Sequence, residues 1–205
     1  MRQVSLRGEG FWVHDNEDLS NHIVRENDFF EAEILDFLKE HFNNQRVIID
    51  IGANIGNHAI YFSRYLKHTH IYAFEPIPAN YELLLKNCEG RSDIIPSNIA
   101  LSDKAEIIPM TANSRNMGMS GWDKNGVIGV TAYTLDFLNL DDVTMIKIDV
   151  ENYEPQVLAG AKKTIERFKP VILIEDNFNT YGNLLLDYTL LRGWEISKTY
   201  LYVPT

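Results

Sequence analysis

RVIIDIGANIGNHAI, residues 46–60, is the stretch on which the reading of the chain turns. Val47 to Ile51 is a short apolar run interrupted only by Asp50, the pattern of a strand covered by helices on both faces. Gly52 and Gly56 then bracket a turn, and NHAIYFSRYL (57–66) continues with helical spacing. Such a glycine turn lets the backbone approach a ligand closely, while the start of the helix offers it free N–H groups. The spacing of the two glycines departs from the G-x-G-x-x-G of dinucleotide sites. Asp50, just before the turn, suits a cationic ligand better than a phosphate. S-adenosylmethionine, with its ammonium and sulfonium, meets both conditions.

Reading outward, THIYAFEP (69–76) is a second covered strand, and Pro78 stands at the first position of the helix PANYELLLKN (78–87). DIIPSNIAL (93–101) supplies a third strand, which completes a βαβαβ order and predicts a doubly wound α/β domain. Glu75 falls at the tip of the second strand, where a carboxylate can accept both ribose hydroxyls of NAD or of S-adenosylmethionine. Upstream, Asp28 and Glu31 have capping-box spacing, and Ile34, Leu35 and Leu38 share a face of a helix ending near His41. Residues 1–45 therefore read as an N-terminal cap with a helix, and 46–205 as the core of the same domain.

Downstream the pattern changes. EIIPM (106–110) and VIGVTAY (127–133) look extended and flank a loop rich in Gly, Asn, Ser and Met, so residues from about 104 to 133 read as an insert facing the substrate. TMIKIDV (144–150) is a strand, and Pro155 opens a helix on which Val157, Leu158, Ala161, Ile165 and Phe168 share a face. PVILIED (170–176) predicts a strand, YGNLLLDYTLLRG (181–193) a helix, and WEISKTYLYVP (194–204) a last extended stretch or hairpin.

The 205 residues fit one domain, and a formal net charge of -10 argues against a grip on nucleic-acid phosphates. Cys88 is the only cysteine, so no internal disulfide is expected. No signal peptide and no membrane span are read, and the expectation is a soluble, cytoplasmic protein. At the edge where open α/β sheets bind ligands, IKIDVENYEPQVL (146–158) places Asp149, Glu151 and Glu154 together. Glu154 reads better as a cap of the following helix, and Asp149 better as a functional group.

In this order, DIGANIG, AFEP, ALSD, TLDFL, IKIDVE and LAGA resemble the FkbM-type family of methyltransferases, over about Arg46 to Asp176. The resemblance implies the Rossmann-like class I methyltransferase sheet, seven-stranded and mostly parallel with a C-terminal antiparallel hairpin. It also implies transfer of a methyl group from S-adenosylmethionine to a hydroxyl, most often on a sugar or glycan. The cofactor is expected along Asp50 to Asn57. Asp50, Gly52, Ala53, Asn54 and Gly56 would line its methionine part, with Glu75 at the ribose. Pro76 and Ile77 would flank the adenine on one side and Ile99 and Ala100 on the other. Asp149 would face the methionine ammonium or the reaction centre. Many members have glycine after DVE, where this chain has Asn152.

A sugar hydroxyl is a poor nucleophile, so a general base or a metal is expected; the candidates are Asp149, Glu151, Glu175 and His58. His58 has core packing as its plain alternative. LIEDN (173–177) is similar to the strand end of catechol O-methyltransferase-like enzymes, which implies Mg²⁺ on Asp149, Asp176 and Asn177. Trp122, Phe11, Trp12, Tyr153 and Tyr181 are candidate sugar-stacking residues or core. Two rival readings remain open, a nicotinamide-dependent oxidoreductase and a non-catalytic binding module. The acceptor and the oligomeric state are not legible.

Overall fold

The structure is a computed structural model that describes residues 1–15, 17–112, 121–177 and 180–205. The centre of the insert, 113–120, lies outside them.

The chain opens with a hairpin, β1 (Arg2–Leu6) and β2 (Glu9–Val13), followed by helices α1 (Asp18–Glu26) and α2 (Ala32–His41). Five units of the core follow: β3 (Val47–Ile51), α3 (Asn57–Tyr65), β4 (His70–Phe74), α4 (Pro78–Asn87) and β5 (Ile94–Ser97). β6 (Ala100–Leu101) leads into the insert, which holds β7 (Glu106–Thr111), β8 (Gly121–Trp122) and β9 (Ile128–Tyr133). Then come β10 (Val143–Ile148), α5 (Glu154–Gly160), α6 (Lys162–Phe168), β11 (Val171–Glu175), β12 (Tyr188–Trp194) and β13 (Thr199–Pro204).

Among the described residues, seven of these strands form one sheet in the order β12-β13-β11-β10-β3-β4-β5, with β13 antiparallel to both its neighbours and the other pairings parallel. Every residue of β3 is buried because the sheet is covered on both faces. Ile48, Met145 and Leu173 face the cluster under α2 and α3, while Ile49, Ile146 and Ile172 face the cluster under α5 and α6. Burying each such side chain is worth about 1.5–3 kcal/mol. The order reverses direction at β3 and β10, which places a ligand crevice at the carboxyl ends of those two strands. A second sheet, β6-β9-β7-β8, joins β6 to the strands of the insert.

Several expectations are corrected. The capping box does not form: Glu31 precedes α2 with left-handed backbone, and Asp28 instead pairs with Arg7 of the hairpin. The third strand is two strands, because Ala100 and Leu101 leave the main sheet to pair with β9. The helix after Pro155 breaks at Ala161, next to Gly160, where a Cβ would lie 1.9 Å from the Ser102 carbonyl oxygen. Over 181–193 there is a short 3-10 turn, Tyr181–Leu184, and then β12. Its leucines fit either period, and pairing with β13 decides between them.

Candidate active site

At the crevice the structure has a cavity of about 470 Å³. Gly52, Ala53 and Asn54 line it from the turn after β3, and Glu75 and Pro76 from the end of β4. Asp149 and Glu151 enter from the end of β10, Glu175 and Asn177 from the end of β11.

Gly52 is needed for two reasons. Its φ of +77° is left-handed, and a Cβ there would lie 1.8 Å from the Asp149 carbonyl oxygen. Asn54 is also left-handed, at φ +51°, and this aims its N–H at Glu75 Oε2, 2.8 Å away. The other oxygen of Glu75 accepts from the Ile77 N–H at 2.8 Å. Glu75 is thus oriented by two backbone donors, and burial pushes its carboxyl up to about 7 against their pull.

The remaining residues expected at the cofactor divide into groups. Gly56 faces α4, where a Cβ would meet the Leu84 side chain at 2.9 Å, so its role is packing. Asn57 lines the cavity but commits its amide to the backbone of Phe30. Ile77 is buried in the core of the insert sheet. Ile99 and Ala100 line a small apolar cleft with Phe74, Trp122 and Tyr153, and this cleft shares Gly52, Pro76 and Met110 with the large cavity.

Asp50 does not reach the cavity. It is wholly buried, and Lys147 Nζ lies 3.3 Å from its Oδ1. The same ammonium is 3.3 Å from Asp149 Oδ2 and donates to the Gly52 carbonyl at 2.8 Å. The ammonium thus makes one hydrogen bond and faces two carboxylates as ion pairs. Burial works against the charged lysine, but Asp149 and Asp50 outweigh it and hold its pKa above the usual lysine value. Lys147 was not anticipated, although a lysine inside the apolar run of β10 was itself a signal, since a buried ammonium needs partners.

Asp149, Glu151 and Glu175 bring carboxylate oxygens within 4.8 Å of one another. Burial first, then repulsion from Asp149 and Glu154, pushes Glu151 up to about 7. Burial first, then Asp149 and Glu151, pushes Glu175 up to about 8. Asn152, at φ +71°, keeps the left-handed turn that glycine would otherwise make, and asparagine tolerates that conformation. Glu154 stands in the first turn of α5 but does not bond to the N–H groups of that helix as a cap would: its Oε1 accepts from the Val150 and Asn152 N–H groups of the preceding loop.

The expected Mg²⁺ set does not assemble. Asp176 is fully buried and its two oxygens accept from the Thr180 and Tyr181 N–H groups, because it caps the turn that replaces a helix. Asn177 lines the cavity without it. His58 also lines the cavity, with its ring turned toward Glu31. Its Nε2 is 3.2 Å from Glu31 Oε2 and its Nδ1 is 3.4 Å from the Asn57 amide.

Of the candidate stacking residues, Phe11 and Tyr181 are core. Trp12 lies under Lys86, with the ammonium 4.6 Å from its ring centre. Trp122 and Tyr153 stack on each other at 6.1 Å beside the small cleft. Among the described residues, the phenylalanine, tyrosine or tryptophan ring that lines the large cavity is that of Phe30, for which the sequence carried no local signal.

A family model described as the methyltransferase FkbM domain matches residues 50–193. The hexuronic acid methyltransferase AglP of Haloferax volcanii is 27% identical over 153 residues, which are 70% of this chain and 61% of that protein. The chain thus spans less than two thirds of this curated relative. Among solved structures, methyltransferase FkbM from Methylobacillus flagellatus KT superposes with a TM-score of 0.61 at 21% identity, over 78% of this chain and 43% of the other. M. capricolum TrmK, solved with S-adenosylhomocysteine, gives 0.50 at 14% identity over 85% of this chain and 67% of its own.

Proposed function

The chain belongs to the FkbM methyltransferase family, and on that basis we propose that it transfers a methyl group from S-adenosylmethionine to a hydroxyl of a sugar. The observation that carries the reading is the convergence, in one cavity, of the Gly52 turn, the oriented Glu75 and the carboxyl cluster of Asp149, Glu151 and Glu175. AglP, which acts on a hexuronic acid, supports the sugar acceptor.

The residues fit the cofactor. The Gly52–Asn54 turn, packed tightly against the Asp149 backbone, and the oriented carboxylate of Glu75 line one cavity, with the apolar cleft at Ile99 and Ala100 beside it. When bound, S-adenosylmethionine would supply an electrophilic methyl group. Gly52, Ala53 and Asn54 would hold its methionine part and Glu75 its ribose. Asp50 contributes from beneath, through Lys147. Asp149 is the carboxylate left facing the cavity for a positive charge.

The acceptor hydroxyl must lose a proton as its oxygen becomes an ether. Glu151 and Glu175 suit the task, because a base whose pKa is near the working pH is both unprotonated and strong enough. Asp176, committed to the Thr180 and Tyr181 N–H groups, does not join Asp149 as a metal ligand. The oxidoreductase reading has no supporting observation in the glycine spacing or in the comparisons.

The test is calorimetry with S-adenosylhomocysteine, followed by methyl transfer to pyranosides read by mass spectrometry. Micromolar binding that Glu75→Ala weakens more than tenfold supports the proposal. Absence of binding to folded wild-type protein refutes it.

A further inference from the structure

Phe30 and Glu31 form an elbow between α1 and α2, and both line the large cavity. Glu31 has a φ of +58°, a left-handed backbone that a non-glycine residue keeps only where its surroundings hold it. The holders come from distant parts of the chain. Asn57, at the start of α3, accepts from the Phe30 N–H at 2.9 Å and donates to the Phe30 carbonyl at 3.0 Å. The Glu31 carboxylate receives Thr199 Oγ1 at 3.1 Å and faces His58 Nε2 at 3.2 Å. Burial would raise that carboxyl, but the His58 hydrogen bond and charge hold it below its usual range.

All this constraint presents one side chain. Phe29 beside it is core, whereas Phe30 is only partly buried and stands on the cavity wall. The His22 ring meets it edge to face at 5.3 Å and 82°. A fixed aromatic ring sharing a cavity with several carboxyls combines an apolar surface with hydroxyl acceptors. Pyranose rings offer the matching chemistry, apolar C–H faces edged by hydroxyls.

We infer that Phe30 is the specificity-determining platform of the acceptor subsite, on which the C–H face of a pyranose rests while a hydroxyl meets the Asp149, Glu151 and Glu175 cluster. This rests on the methyl transfer proposed above. Asn57 acts as a positioning residue through the backbone of residue 30.

Because Asn57 holds that backbone, the ring can be changed without releasing the elbow. Wild-type, Phe30→Tyr and Phe30→Leu proteins, each saturated with S-adenosylhomocysteine, would be titrated with a panel of neutral and uronate methyl pyranosides by saturation-transfer NMR. The tyrosine variant should bind within about twofold of wild type, and the leucine variant, apolar but without a ring, about tenfold more weakly. Affinity for S-adenosylhomocysteine, by calorimetry, should be the same in all three. The inference is overturned if the leucine variant binds pyranosides as wild type does, if it loses S-adenosylhomocysteine affinity, or if the loaded wild type binds no pyranoside in the panel. Wild type that fails to bind S-adenosylhomocysteine at all defeats the underlying reading, and this one with it.

Discussion

Lys147 and Asp50 stand opposite each other on β10 and β3, with the lysine Nζ 3.3 Å from the aspartate Oδ1 and both side chains buried. The pair shares a sheet face with Ile48, Met145 and Leu173. Lys147→Met would leave a carboxylate charge in that face and should cost about 3–5 kcal/mol. The double variant Lys147→Met, Asp50→Asn removes both charges and should recover most of the loss in urea unfolding. Equal stability of the single and double variants would show that the pair carries no such coupling.

The carboxyls in the cavity give stability and activity opposite pH dependences. Burial raises Glu75 and Glu151 to about 7 and Glu175 to about 8, above the ordinary 4.5. Between 4.5 and those values the folded chain keeps protons that the unfolded chain has released, so stability falls as pH rises through this window. Below it, both states are protonated and nothing is lost. The Tm of the free protein should fall from about pH 5 to about pH 8, and fall less in Glu175→Gln. Methyl transfer should rise over the upper part of the same range as the base loses its proton.

Gly52→Ala tests the turn directly. The added Cβ meets a backbone carbonyl 1.8 Å away, and a left-handed φ adds to the cost. A loss of more than about 3 kcal/mol of stability is expected, with no measurable binding of S-adenosylhomocysteine in whatever remains folded. Near-wild-type binding would mean that the loop after β10 yields easily.

Asp176→Ala separates a cap from a metal ligand. Removing the acceptor of the Thr180 and Tyr181 N–H groups should cost about 1–2 kcal/mol and leave S-adenosylhomocysteine affinity within about twofold. A variant of unchanged stability that binds Mg²⁺ more weakly than wild type would restore the reading of LIEDN as a metal motif.

What the sequence disclosed was local. Gly52 and Glu75 announce themselves because a turn after a strand and an acid at a strand tip have few other uses in this order. The family match over 50–193 bears out the resemblance carried by those motifs. What it hid depends on contacts between distant segments. Nothing near Phe30 says that Asn57 will seize its backbone, and Asp176 looks like a ligand until the turn that it caps is known. The leucines of 184–191 satisfy helical and strand periods alike, and only pairing with β13 resolves them. Lys147 lay between, visible in the sequence as an anomaly inside β10 but uninterpretable without Asp50, Asp149 and the Gly52 carbonyl around it.

Among the described residues the main sheet ends on β12, which pairs with β13 alone, and Leu190 and Leu191 are about half exposed. Its register slips between Leu190 and Arg192, leaving Leu191 as an extra residue that interrupts the ladder. Irregular edges of this kind stop a sheet from recruiting another chain. A bulge at this edge hinders the regular pairing that a second chain would need, and deleting Leu191 is expected to straighten that border and ease such pairing.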